Sequence, residues 1–153
     1  MLKVRAAGVG LTLLNMRNGS FGGEAPRIMG HELGGDIVEV GSDVTELKVG
    51  DRCAVYFYLT CHRCRWCRGG RETLCEAFKG FVGVHRDGGY AEYVSLPVEN
   101  FLHIPTGLSY EAAAMATEPS NEVTARRKAS TVSPQSRWCA VTNAGITLAS
   151  VVI

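Results

Sequence analysis

Four cysteines crowded into one short stretch constrain this chain more than any other feature. Cys61, Cys64 and Cys67 recur at every third position, and Cys75 follows. Cysteines this close together do not staple distant loops, as the spread cysteines of a small secreted domain do; they point to one metal ion in a reducing compartment. Four thiolates can close a tetrahedral shell around zinc, with no position left for water, so such an ion contributes folding energy and no chemistry. The double negative charge of that shell is offset by Arg63, Arg65, Arg68 and Arg71 in the same loop, which also favour the deprotonated thiols. An iron–sulfur cluster, a pair of disulfides and a basic zinc knuckle for nucleic acid stay open as alternatives, each with a weakness. The ferredoxin pattern needs three residues before its last cysteine and a proline after it, whereas seven residues precede Cys75 here and Glu76 follows. Disulfides conflict with the inferred compartment, and a knuckle wants clustered aromatics for base stacking. Cys53 and Cys139 stand apart in apolar runs and read as small buried hydrophobes.

The rest of the composition excludes whole classes. A chain of 153 residues holds one domain, or one with a fragment of a second. Sixteen basic against fifteen acidic side chains leave a net charge of +1, so nothing global attracts the chain to nucleic acid or an anionic membrane. No apolar run is long enough to span a bilayer. Lys3 and Arg5 before the apolar residues 6–14 imitate a weak signal peptide, but no small-residue cleavage site follows, and the segment reads as a cytoplasmic strand.

Eighteen glycines among short Val, Ile and Tyr runs suggest many turns and a mainly β body. Strands are expected over 3–9, 35–40, 52–58 and 90–97, with turns at 41–43, 48–51 and 87–89 and a Gly-rich loop over 18–23. Strands at this spacing suggest a barrel or sandwich. Ser109 is a helix N-cap, Glu111 suits the positive end of the helix dipole, and residues 112–116 are strong helix formers. Pro119 interrupts and leaves Glu118 at a joint, its carboxylate free to point elsewhere. A second helix over 120–129, a linker over 130–137, a buried strand over 138–143 and a helix start or apolar tail over 146–153 complete the chain.

The sequence Met29-Gly30-His31-Glu32, then Val40-Gly41-Ser42-Asp43-Val44, Val49-Gly50-Asp51-Arg52, the four-cysteine loop, the run Gly83 to Tyr93 with Gly88-Gly89-Tyr90-Ala91-Glu92-Tyr93, and Glu118-Pro119 resembles the zinc-dependent medium-chain alcohol and polyol dehydrogenases. The Gly83 to Tyr93 run looks most like the sorbitol and sugar-acid branch. The resemblance implies a mainly β (α+β) fold: a GroES-like β-barrel catalytic domain with a zinc-binding loop over 1–117, then, over 118–153, a connecting helix and the first strand of a truncated Rossmann domain. It implies structural zinc on Cys61, Cys64, Cys67 and Cys75, and a second, catalytic zinc for which His31, Glu32 and Glu118 are the nominated ligands. That ion would act as a Lewis acid on the substrate alcohol while hydride leaves to NAD or NADP, and Thr12 falls where the family passes the alcohol proton outward.

The same resemblance marks departures. Gly10 stands where the family has a cysteine ligand, and Leu13 where it has the aspartate that orients the zinc-bound histidine, a support whose loss alone costs about 10 to 100-fold in metal affinity or activity. Residues 142–147 do not keep the three glycines of a dinucleotide-binding turn. The expectation is therefore an oxidoreductase by family, acting on a small alcohol or polyol, cytoplasmic, without nucleic-acid or membrane partners and compatible with a homo-oligomer. This chain keeps the structural zinc and has little or no dehydrogenase activity. The alternative is a zinc-stabilised structural or interaction module that has lost the chemistry.

Overall fold

Leu2, Val4 and Ala6 face inward while Arg5 faces solvent, the period-two pattern of a strand with one covered side. The computed structural model describes residues 1–10, 12, 15–16, 18–19, 25–117, 140–142 and 145–147. The first run is β1 (Leu2–Gly8), followed by β2 (Leu33–Ile37), β3 (Arg52–Val55), a short helix α1 (Arg65–Arg68), β4 (Tyr93–Val94), β5 (Phe101–His103), α2 (Tyr110–Met115), β6 (Ala140–Thr142) and β7 (Gly145–Thr147). They form one sheet in the order β5-β3-β2-β1-β6-β7. One edge of β1 pairs with β2; the other is shared, Leu2 and Lys3 pairing with β4 and Ala6 to Gly8 with β6, all antiparallel. Against β2 the register slips between Val4 and Ala6, and beyond the slip Ala6, Ala7 and Gly8 are all buried, as a bulge that re-aims the strand requires.

The principal core draws on every strand from β1 to β5. Leu2, Leu33, Ile37 and Val55 pack with Val94 of β4 and Phe101 of β5, so the sheet curls round one apolar interior as the barrel expectation has it. Ser109 caps α2 by accepting a hydrogen bond from the Ala112 amide at 3.2 Å. Cys53 is fully buried in β3, and burial pushes its thiol up to about 11, the behaviour of an inert core residue.

Five expectations need correction. The strand over 35–40 runs instead over Leu33–Ile37, that over 52–58 ends at Val55, and that over 90–97 shrinks to Tyr93–Val94. The turn expected at 87–89 lies earlier: the Gly83 amide donates to Arg86 at 2.7 Å, while the amides of Gly88, Gly89 and Tyr90 zip onto the carbonyls of Ile28, Gly30 and Met29. Gly88 serves close approach there, not a reversal, since a Cβ would stand 2.0 Å from the Gly30 carbonyl oxygen. At the C-terminal side, the strand over 138–143 is present as β6, but Ile146 continues into β7, paired with β6, and not into a helix. Val141, Thr142, Ile146 and Thr147 are β-branched and favour that outcome. The expected helix over 120–129, the linker, Cys139 and residues 148–153 lie outside the described residues.

Asn100 is the polar anchor of the β5 side. It is 1% exposed, and its amide donates to the carbonyls of Tyr56 at 2.5 Å and Tyr58 at 3.0 Å. Asn100→Leu keeps the branched shape but removes both donated hydrogen bonds and adds bulk at a buried site, so it is expected to cost about 2 to 3 kcal/mol of unfolding free energy, read as a lower urea midpoint with unchanged slope.

Candidate functional site

Local backbone geometry gathers the four cysteines. His62 takes a left-handed φ of +52°, unusual for a residue other than glycine but least so for Asn, Asp and His, and its ring meets the Thr60 hydroxyl at 3.0 Å. Cys64 is the N-cap of α1 and Cys67 lies one turn on, so both face the same side. The turn Glu72–Leu74 returns Cys75 to the group. The sulfurs of Cys64 and Cys67 are 3.5 Å apart, those of Cys61 and Cys75 3.6 Å, and those of Cys61 and Cys67 4.0 Å. Zinc–sulfur bonds of about 2.3 Å in a tetrahedron separate the sulfurs by about 3.8 Å. The cluster has the size of an occupied zinc shell, and its sulfurs are too far apart for the bond of about 2.05 Å in a disulfide.

The loop also prepares the thiols. The Cys61 amide donates to the Cys75 sulfur and the Cys64 amide to the Cys61 sulfur, both at 3.4 Å. Backbone amides of Cys67 and Glu76 hold the Cys64 thiol down to about 6. Burial pushes Cys67 up to about 12.

A second group of interest forms where the sheet brings β1 and β2 together. His31 and Glu32, just ahead of β2, are 8% and 2% exposed. The Gly8 amide donates to the Glu32 carbonyl at 2.8 Å, and the Glu32 carboxylate packs so tightly on Gly8 that a Cβ there would stand 1.9 Å from Oε2. The His31 ring stacks on Phe57, centroids 4.7 Å apart at 28°. The Tyr90 hydroxyl donates to the Gly8 carbonyl at 2.7 Å, and burial together with the charge of Glu32 pushes it up to about 12. Beside this corner opens an apolar cavity of about 370 Å³ walled by Val4, Ala7, Val9, Tyr90 and Ala91, within the size range of small-molecule pockets.

Of the residues nominated from sequence, the structure unites the four cysteines and places His31 beside Glu32. Thr12 and Gly10 are half-buried, and Glu118 and Leu13 lie outside the described residues. Among the described residues only the cysteine cluster gathers three or more candidate ligands. A catalytic zinc takes three protein ligands; His31 and Glu32 lie side by side in sequence and are both buried, Gly10 has no side chain to add, and the third nominated ligand, Glu118, is the one outside the described residues. Sequence reasoning misses Phe57 and Tyr90 as site residues; Tyr90 stands inside the Gly83 to Tyr93 motif, yet nothing in its spacing announces a bond to Gly8.

Residues 1–106 match the family described as the alcohol dehydrogenase GroES-like domain. The chain is 45% identical over 98 residues to an L-threonine 3-dehydrogenase of Chelativorans sp. (strain BNC1), covering 64% of this chain and 28% of that protein. It is 40% identical over 119 residues to a sorbitol dehydrogenase of Bacillus subtilis (strain 168), covering 75% and 34%. The fold superposes on a cobalt- and zinc-bound thermostable alcohol dehydrogenase of Pyrobaculum aerophilum with a TM-score of 0.69 at 34% identity, over 76% of this chain and 35% of that one. The chain thus spans about a third of the length of these relatives.

Proposed function

The chain belongs to the alcohol dehydrogenase GroES-like family, and on that premise we propose that it is the zinc-stabilised β lobe of an NAD(P)-linked alcohol or polyol dehydrogenase whose catalytic corner has lost its metal. Cys61, Cys64, Cys67 and Cys75 hold one structural zinc, which ties the loop into the lobe and takes no part in the reaction. Residues 1–117 make up that lobe, β6 and β7 adding two strands to its sheet, and 118–153 otherwise lead toward the dinucleotide-binding part that relatives three times as long have room for. The substrate class is a small alcohol or polyol, in keeping with the sorbitol dehydrogenase relative, and the reduced thiols the cluster requires favour the cytoplasm. Among the described residues no helix is long and apolar enough to cross a membrane.

The observation that carries this reading is the contrast between the two sites: four sulfurs at zinc spacing in one, and in the other the buried pair His31 and Glu32 with glycine at position 10, where the family has a cysteine ligand. In sequence His31, Glu32 and Thr12 keep the polar groups of the family while position 10 does not. A single substitution separates the dehydrogenase-derived reading from a module with no trace of the chemistry. Gly10→Cys is expected to raise bound zinc from one to two per chain, measured by metal analysis of the dialysed protein. A content that stays at one would favour the second reading, a zinc-stabilised interaction module, which the glycine at position 10 already makes a serious rival.

A further inference from the structure

We propose that Phe57 is the positioning residue for His31, and that closure of the four-cysteine loop holds it in place. Phe57 is 6% exposed and packs with Leu59 and Val82 in a small core of its own. Its carbonyl accepts from the Val82 amide at 2.9 Å; two residues on, the Leu59 amide donates to Gly80 at 2.9 Å and the Leu59 carbonyl accepts from Lys79 at 2.8 Å. This short ladder is the stem of the metal loop, because Cys61 follows Leu59 by two residues and Cys75 precedes Lys79 by four. A metal that ties Cys61 to Cys75 removes the closure entropy that the stem would otherwise bear alone.

The stem delivers one ring to the candidate site. Phe57 stacks on His31 on one side and meets Tyr58 at 4.6 Å and Phe81 at 5.5 Å on others. Both neighbours belong to the two arms of the stem, joined there by the Tyr58 to Phe81 bridge. The imidazole plane is therefore set by an aromatic whose own position depends on the loop staying shut. The functional consequence rests on reading His31 as a site residue, whereas the mechanical link does not.

Proton NMR of the zinc-loaded full chain tests the link, the His31 ring signals being assigned by their loss in His31→Gln. Phe57→Leu is expected to move those signals downfield, out of the shielding of the phenyl face, and Phe57→Tyr to leave them in place, with the cobalt(II) thiolate spectrum of the loop unchanged in both. Removing zinc with a chelator is expected to move His31 in the same direction as Phe57→Leu while His103 on β5 stays. An unmoved His31 in Phe57→Leu, or on zinc removal, overturns the proposal. So does collapse of all four histidines to one random-coil position on zinc removal, since the metal would then hold the entire sheet and not this stem. A second zinc bound by the unaltered chain would overturn the proposed function and leave the link standing; an unmoved His31 would do the reverse.

Discussion

The full chain carrying Cys61→Ser and Cys64→Ser is expected to bind no zinc and to lose the ordered fold of residues 59–80. Two thiolates remain in that variant, and they cannot complete a tetrahedral shell. The metal-bound loop has little else to hold it: α1 is four residues long, and Leu74 and Phe78 are about half exposed. Its charges add little, since the Arg65 to Glu76 pair at 3.0 Å is largely exposed and exposed pairs contribute about 0 to 1 kcal/mol. Structural zinc, by comparison, binds with about 10 to 16 kcal/mol at neutral pH in zinc-finger peptides. Thermal unfolding should therefore fall to a lower Tm and lose its response to added zinc. A variant that keeps one zinc per chain, or the parent Tm, would contradict the role assigned to the cluster.

Gly88→Ala is expected to be the most damaging single methyl group that can be added near His31 and Glu32. The new Cβ would lie 2.0 Å from the Gly30 carbonyl oxygen, 2.8 Å from that of Met29 and 2.9 Å from the Gly83 α-carbon. All three are backbone atoms, so no rotamer change relieves the clash. The chain must instead pull apart where 88–90 meet 28–30, immediately before His31 and Glu32. Overpacking of this kind costs about 1 to 3 kcal/mol and sometimes more; with backbone on every side the upper end is expected, read as a reduced urea midpoint. A midpoint within error of the parent would mean that the two segments are not in contact.

The cysteine loop is legible in the sequence because its ligands are close together: spacing alone carries Cys61, Cys64, Cys67 and Cys75, and the sulfur distances agree. Ser109 is legible for the same reason, a cap being a matter of three residues. The strands are legible as strands, but their ends are not. Residues 88–90 look like a turn from the inside, and only the approach of Gly30 from far along the chain explains why glycine stands at position 88. The corner that holds His31 and Glu32 is legible only in part. His31 and Glu32 come from the resemblance, while the ring that backs His31 and the hydroxyl that fixes Gly8 arise from contacts 26 and 82 positions apart in sequence, which no local pattern encodes. The pairing of β6 with β1 belongs to the same class of long-range fact.

The measurement that bears most directly on a lobe built around a single structural zinc is the zinc content of the purified 153-residue chain after exhaustive dialysis. One zinc per chain, reporting a thiolate environment when replaced by cobalt(II), is the expected result. Two per chain would show that His31 and Glu32 hold a metal without a cysteine at position 10. None would remove the cluster from the centre of the fold, and either outcome would contradict a lobe with one occupied site and one lost.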